Sequence, residues 1–247
     1  MYLGLDLGTS GLRALLVDGD GVPVGSAVRA YAPVHPYPGW SEQDPADWVT
    51  AVDGALGELA GAHPQAMSAV RGIGVSGHMH GATLLDAHGA VLRPCILWND
   101  TRSADEAAEL DSAPAVRDLS GNIVFPGFTA PKLLWVARNE PDIFARTATV
   151  LLPAAYMNFH LTGERFADMS DSAGTAWLDV GARDWSARLL EVSGMRPDQM
   201  PRLVEGSDTA GTLLPAVAEL WGMAPVPVAG GGGDNAAGAA GVGAVRD

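Results

Sequence analysis

Apolar and polar residues fall along this chain in short runs separated by glycine and proline, and the runs set out its elements. The apolar residues of Tyr2-Leu-Gly-Leu-Asp6 describe a buried strand. Gly8-Thr-Ser-Gly11 turns it back as Leu12-Arg-Ala-Leu-Leu-Val17, and Asp18-Gly-Asp-Gly21 turns it again. Residues 2–6, 12–18 and 22–30 are therefore predicted as an antiparallel three-strand meander. Three prolines between Ala32 and Pro38 impose a loop, after which Asp44 caps a helix with Pro45 in its first turn. Trp48, Val52, Leu56 and Leu59 share one face of that helix, which ends before Pro64. Val70 to Val75 returns as a strand, Ala82–Leu85 and Ala90–Leu92 flank a turn at Asp86–Gly89, and Ile96–Trp98 is a further short buried run.

The middle third carries helical spacing at Ala104–Leu110, Ala130–Asn139 and Pro153–Leu161, then at Trp185–Val192 and Leu214–Trp221. Between them the polar stretch Asp168–Thr175 reads as a solvated loop in preference to a cleft lining. Pro225–Ala229 is a short buried strand leading into four glycines, Gly230 to Gly233, and Asp234. Meander, helix and parallel strand together give an α/β layering of mixed sheet and flanking helices, one domain with a helical insertion.

Two glycine-flanked aspartates, Asp6 and Asp234, stand at strand ends almost the whole chain apart. A glycine turn lets backbone N–H groups approach anionic oxygens, Thr9 and Ser10 add hydroxyls, and a strand-end carboxylate can hold the Mg²⁺ that neutralises phosphate charge. A hairpin with a surface aspartate explains the first motif equally well. The second is harder to explain by helix capping alone, since each glycine gives up chain entropy. It points to close approach by a ligand or another backbone. A carboxylate there can take the proton from a hydroxyl that attacks a γ-phosphate.

Composition narrows the partners. A net charge of −14, from 15 Lys and Arg against 29 Asp and Glu, argues against nucleic acid or an anionic membrane and favours a small neutral substrate. The single Cys95 cannot form an intramolecular disulfide. No apolar run approaches the roughly 20 residues of a spanning helix. The chain opens on a core strand in place of a basic, apolar leader, so a cytoplasmic protein is expected.

Other signals carry less. Gly72-Ile-Gly-Val-Ser-Gly77 has the alternating glycines of a dinucleotide site, but His78-Met-His-Gly81 follows where a helix should begin. Ser76 lacks the glycine that a nucleophile elbow needs at position 78. His78 and His80 have no third ligand at metal-site spacing, and His80 is read as a hydrogen-bond donor. Asn99-Asp-Thr101 matches the glycosylation sequon, which has no meaning without secretion. His35, His63, His88 and His160 are read as structural or solvent-facing.

The motifs taken together resemble one family. Gly4-Leu-Asp-Leu-Gly-Thr-Ser-Gly11, Trp40-Ser-Glu-Gln-Asp-Pro45, Met79-His-Gly-Ala-Thr-Leu-Leu-Asp86, Ile96-Leu-Trp-Asn-Asp100 with Arg102, Phe128-Thr-Ala-Pro-Lys-Leu-Leu-Trp135, Asp168-Met-Ser-Asp171 and Gly231-Gly-Gly-Asp-Asn-Ala-Ala-Gly238 are similar to those of the FGGY carbohydrate kinases, and among them to the xylulokinases. Met79-His80 is the most specific, because the related glycerol kinases carry an Arg-Glu pair there. The resemblance implies an actin-like, ribonuclease-H-like fold and transfer of the ATP γ-phosphate to the C5 hydroxyl of D-xylulose. Asp234 is then the general base, and Met79, His80 and Asn235 bind the sugar. Asp6 organises Mg²⁺ through water, Gly8, Thr9 and Ser10 face the γ-phosphate, and Trp98, Asn99 and Asp100 line or support the pocket. His78 departs from the family's glutamine. Residues 1–247 correspond to the family's N-terminal, sugar-binding domain, and the C-terminal ATP-binding domain is expected to be absent from this chain. Alone, the chain is therefore expected to bind sugar weakly and turn over ATP negligibly, and its uncovered apolar surface favours a homodimer. A kinase for L-ribulose or gluconate, a non-catalytic sugar-binding module and an actin-like scaffold remain as alternatives.

Overall fold

The first three strands form where the apolar pattern sets them, as β1 (Tyr2–Gly8), β2 (Gly11–Val17) and β3 (Pro23–Ala30). They pair antiparallel, with Gly8 opposite Gly11 across the first turn. Leu3, Leu5 and Leu7 are buried while Gly4 and Asp6 are exposed, and Leu12, Ala14 and Leu16 are buried while Arg13 is exposed. Successive side chains of a strand point to opposite faces, so one face of this sheet is core and the other carries Asp6 and Arg13. The computed structural model describes residues 1–244, and the last three positions of the expected 1–247 domain lie outside the described residues.

After β4 (Glu42–Gln43), which pairs with Cys95–Ile96, comes α1 (Pro45–Ala62). The Asp44 carboxylate accepts from the Ala46 N–H at 2.9 Å, satisfying one of the free donors of the first turn. Trp48, Val52, Leu56 and Leu59 are buried against the leucine face of the sheet. Each aliphatic side chain among them contributes about 1.5–3 kcal/mol by leaving water.

β5 (Ile73–Gly77) starts three residues later than the apolar run suggests. Val70 still closes the preceding turn on the Met67 carbonyl, and pairing with β1 begins only as the Leu3 N–H meets the Gly72 carbonyl at 3.1 Å. β5 runs parallel to β1, with Asp6 opposite Ser76. On its other side run Pro227–Ala229 and Gly232–Gly233, also parallel, and Thr209–Thr212 closes the edge antiparallel. Three residues separate Val228 from Gly232 where two separate their partners Ile73 and Ser76, so the chain bulges at Gly230-Gly231. Three parallel strands thus end at one edge of the sheet, which is where open α/β sheets bind ligands.

Helices Ala104–Ser112, Thr129–Asn139 and Pro153–Thr162 follow their apolar spacing. The last packs into the sheet core, and the others build a second core with Leu110, Leu133, Val136, Trp177 and Leu190. Three expectations are corrected. Trp185 precedes its helix, pairing with Leu178, because Ser186 caps the helix that begins at Ala187. Trp98 is 48% exposed and does not extend the buried run. Residues 168–175 are no solvated loop, since Met169–Ser172 is a helical turn with Asp171, Ser172 and Thr175 buried. Asp168 permits that burial by accepting from the Ser170 and Asp171 N–H groups at 2.8 and 3.0 Å. No helix among the described residues is long and apolar enough to cross a membrane.

Candidate active site

The open face of the sheet forms the floor of a cleft of about 930 Å³. Asp6, Arg13, Ser76, Asp168 and Gly232 are among the residues that line it. Asp6 stands there because strand alternation puts it opposite the leucines, and the Ser76 hydroxyl donates to its Oδ1 at 2.8 Å. The Gly8–Gly11 turn lies just beyond. It is fastened by the Tyr31 hydroxyl donating to the Gly8 carbonyl at 2.7 Å, Gln43 Nε2 to the Thr9 carbonyl at 2.6 Å and the Trp98 indole N–H to Thr9 Oγ1 at 3.0 Å. Gly11 is required by the protein's own backbone, for a Cβ there would sit 2.6 Å from the Arg29 carbonyl oxygen.

Asp234 is the first residue of the helix Asp234–Gly241, one position inside its Gly233 cap. Asp234 is exposed, yet partial burial raises its carboxyl from the ordinary aspartate value, the Asn235 N–H at 2.8 Å opposes this, and the Asp6 carboxylate adds to the rise. Asp234 therefore senses the Asp6 charge. The four glycines before Asp234 have separate reasons. A Cβ on Gly230 would meet the Glu205 carbonyl oxygen at 2.4 Å, on Gly231 that of Val75 at 2.3 Å, and on Gly233 the Met79 Cγ at 2.8 Å. At Gly232 the nearest atom would be Ser170 Oγ at 3.4 Å, an ordinary contact. Close approach of the protein accounts for three glycines; of the two that line the cleft, Gly231 and Gly232, only Gly232 has room for a Cβ.

Met79 fills the space above Gly233, and the Asn235 amide donates to its Sδ at 3.8 Å, tying the Met79-His80 segment to the Asp234-Asn235 segment. His80 sits at φ +67, a left-handed conformation that costs about 1–3 kcal/mol outside glycine. Its Nδ1–H donates to the Gly174 carbonyl at 2.7 Å, and Phe128 packs edge-on at 4.8 Å. Gly174 makes room, since its Cβ would lie 2.5 Å from the imidazole. Burial and the Lys132 ammonium lower His80 to about 4 against the opposing pull of the Gly174 carbonyl. The ring is neutral at pH 7, with its one proton on Nδ1, so the donor expected from the sequence is directed into the protein and Nε2 keeps a lone pair. His78 is fully buried and lowered to about 3, first by burial and then by Lys132, so a charged His78 is ruled out at neutral pH.

Met79, His80, Asp234 and Asn235 stand outside the wall of the large cleft, as do Gly8, Thr9 and Ser10. Asn99 lines a separate groove with His35 to Ser41, and Asp100 is buried, accepting from the Ser41 N–H at 2.6 Å and pairing with Arg102 at 2.7 Å. Sequence reasoning passed over Asp168 and Asp171 as site groups. Burial raises both, and Asp171, held well above the carboxylate range, also feels Asp168 and Asp234; the His80 N–H opposes the rise, although neither Asp171 oxygen closes a hydrogen bond of ordinary geometry. Their signal was two aspartates three apart in a motif already noted. Lys132, wholly buried behind His80, gave no signal, because a lone lysine in a helix reads as solvated.

The family described as the FGGY family of carbohydrate kinases, N-terminal domain, matches residues 1–241. The chain is 52% identical over 246 residues to the xylulose kinase of Escherichia coli strain K12, covering 99% of this chain and 50% of that one. It superposes with a TM-score of 0.98 on the crystal structure of a xyloylose kinase from Brucella ovis, at 63% identity, covering 99% of this chain and 51% of the other. For the xylulose kinase of Rhodospirillum rubrum the TM-score is 0.95 at 34% identity, with 99% and 51% covered. The chain spans about half the length of each of these relatives.

Proposed function

The chain belongs to the FGGY family of carbohydrate kinases, with the actin-like ATPase fold, and we propose that it is the sugar-binding half of a xylulose kinase, which transfers the γ-phosphate of ATP to the C5 hydroxyl of D-xylulose. What carries the reading is the convergence of three parallel strand ends on Asp6, Met79-His80 and Asp234-Asn235, with the Asn235 amide resting on the Met79 sulfur. The choice of D-xylulose is supported by the names of the relatives, and a cytoplasmic location goes with it.

In this reading the sugar lies against Met79 and His80, with the His80 Nε2 lone pair accepting from a substrate hydroxyl and Asn235 bonding a second. Asp234 takes the C5 hydroxyl proton as that oxygen forms its bond to the γ-phosphorus and the bond to the ADP oxygen breaks. Its raised carboxyl suits a proton acceptor near neutral pH, being more basic than an ordinary aspartate. Among the described residues no three His, Cys, Asp or Glu side chains are grouped to hold a metal. Mg²⁺ keeps most of its waters and binds through one or two carboxylates and phosphate oxygens, and Asp6, an exposed carboxylate lining the cleft, is the residue that would hold it. When bound it supplies neutralisation of phosphate charge. Gly8, Thr9 and Ser10 face the transferred group.

Titration calorimetry tests the proposal, with D-xylulose against glycerol, L-ribulose and gluconate, and His80→Ala as control. Selective heat from D-xylulose is expected, with the affinity lowered by about tenfold or more in the variant. Equal binding of L-ribulose or gluconate would reassign the sugar, and D-xylulose heat unchanged in His80→Ala would remove the Met79-His80 site.

A further inference from the structure

Lys132 lies in the first turns of the helix Thr129–Asn139 and is wholly buried. A lysine is almost never buried so fully without a partner, and a cation is disfavoured near a helix N-terminus. Its Nζ donates to the His80 carbonyl at 2.8 Å and to the Gly127 carbonyl at 2.5 Å. Thr129 Oγ1 donates to the same His80 carbonyl at 3.3 Å. The oxygen gripped by both belongs to the one residue of the sugar motif held at positive φ.

We propose that Lys132 is a positioning residue for sugar recognition, its ammonium holding the His80 carbonyl so that the left-handed backbone presents the imidazole to the substrate; this rests on the sugar-kinase reading above. The imidazole is held from its other end by Gly174, so the ring has one orientation only while the carbonyl clamp is closed. Burial lowers Lys132 to about 7 and Arg102 adds to the fall, while Cys95 and Asp100 favour its charge and His78 and His80 are both neutral at pH 7.

A double-mutant cycle with an independent view of His80 tests this. At pH 6, where Lys132 carries its proton and His80 does not, Lys132→Met is expected to weaken D-xylulose binding by about tenfold to a hundredfold, the worth of one charge-assisted hydrogen bond. In a His80→Ala background it should change affinity by less than about twofold, because Lys132 acts through His80. An effect of Lys132→Met below about twofold in the parent chain, or equal factors in both backgrounds, overturns the proposal. Backbone Cα and Cβ chemical shifts of His80 report its left-handed conformation without any sugar. They should lose that signature in Lys132→Met, and an unchanged signature also overturns the proposal. If the parent chain binds no D-xylulose, the substrate reading fails while these shifts still decide the role of Lys132. Should Lys132→Met not fold, Thr129→Val removes the second donor on the same carbonyl. A smaller loss in the same direction and the same dependence on His80 are expected, and unchanged His80 shifts in that variant count against the clamp.

Discussion

Alanine placed at adjacent glycines before Asp234 separates the two reasons a glycine run can have. At Gly231 the backbone has φ +85 and a Cβ would lie 2.3 Å from the Val75 carbonyl oxygen, an atom fixed in β5. The left-handed conformation costs about 1–2 kcal/mol for a residue with a Cβ. Forcing a methyl group into packed surroundings costs about 1–3 kcal/mol more. Gly231→Ala should therefore lose about 2–5 kcal/mol, a large share of the 5–15 kcal/mol typical of a folded domain. At Gly232 the same methyl meets Ser170 Oγ at 3.4 Å and nothing closer. Relief of unfolded-chain entropy favours Gly232→Ala by about 0.4–1 kcal/mol, so its stability should match the parent or slightly exceed it. By thermal unfolding, at about 2–4 °C per kcal/mol for a chain of this size, Gly231→Ala should melt about 4–20 °C lower and Gly232→Ala within a few degrees. Melting points of the two variants that agree within experimental error would refute the backbone-approach explanation. If Gly232→Ala instead weakens ligand binding at full stability, the methyl has entered the cleft.

Further outcomes follow from the charges around the cleft. The Asp234 carboxyl, followed through its ¹³Cγ shift, should titrate above the ordinary value of about 3.9 and move down in Asp6→Asn; a midpoint at or below that value contradicts the placement. Asp171 holds a proton in the folded chain that the unfolded chain releases, so stability falls as pH rises above the unfolded value, and Asp171→Asn should be more stable than the parent in urea at pH 7, with the gain shrinking towards pH 4. A less stable Asp171→Asn at pH 7 would show that the ionised carboxylate has a partner. His78 works in the opposite sense, because folding excludes a proton that the unfolded imidazole binds below about 6.5. Acidification to pH 5 should cost about 2 kcal/mol through His78, and His78→Gln should flatten that slope; an equal slope in both proteins would mean that His78 does not titrate on unfolding. Imidazole ¹⁵N shifts of His80 should show the neutral Nδ1–H form throughout pH 5.5–8, and an imidazolium at pH 6 would exclude the burial seen here.

The sheet was legible because its chemistry is local. Leu3, Leu5 and Leu7, the Gly8–Gly11 turn and the Asp44-Pro45 cap each specify their own stretch, and the meander and α1 appear as read. Asp6 and Asp234 stood out for a related reason, Asp6 two residues before β1 ends at the glycine turn and Asp234 directly after the strand Gly232–Gly233. The segment 168–175 was misread because its burial comes from elsewhere. Gly233 donates to Ser170 Oγ at 3.4 Å, Gly174 receives the His80 ring, and Asn122 Nδ2 donates to the Ala173 carbonyl at 3.0 Å, contacts made over 50 residues or more. Polar residues there signal solvent only when such partners are unknown. Lys132 was hidden for the same cause, since its acceptors lie on a motif 52 residues away and on Gly127 of its own approach loop.

These long-range contacts also explain why the region is a poor place to seek stability and a good one to seek function. His80 is held at positive φ, His78 has two buried ring nitrogens without partners, and Asp171 has two buried oxygens without partners. Each is a departure from the rule that buried polar groups are bonded, and each opposes folding. They cluster beside or within the Met79-His80 and Asp234-Asn235 motifs and the Asp168–Asp171 turn, while the leucine face of the sheet and the helix α1 above it contain no comparable defect among the described residues. A core that stable can carry a strained edge. Stabilising substitutions such as Asp171→Asn and His78→Gln should then raise or level the unfolding free energy without restoring anything to the sugar site, and a variant that gained both stability and affinity would break the link argued here between strain and recognition.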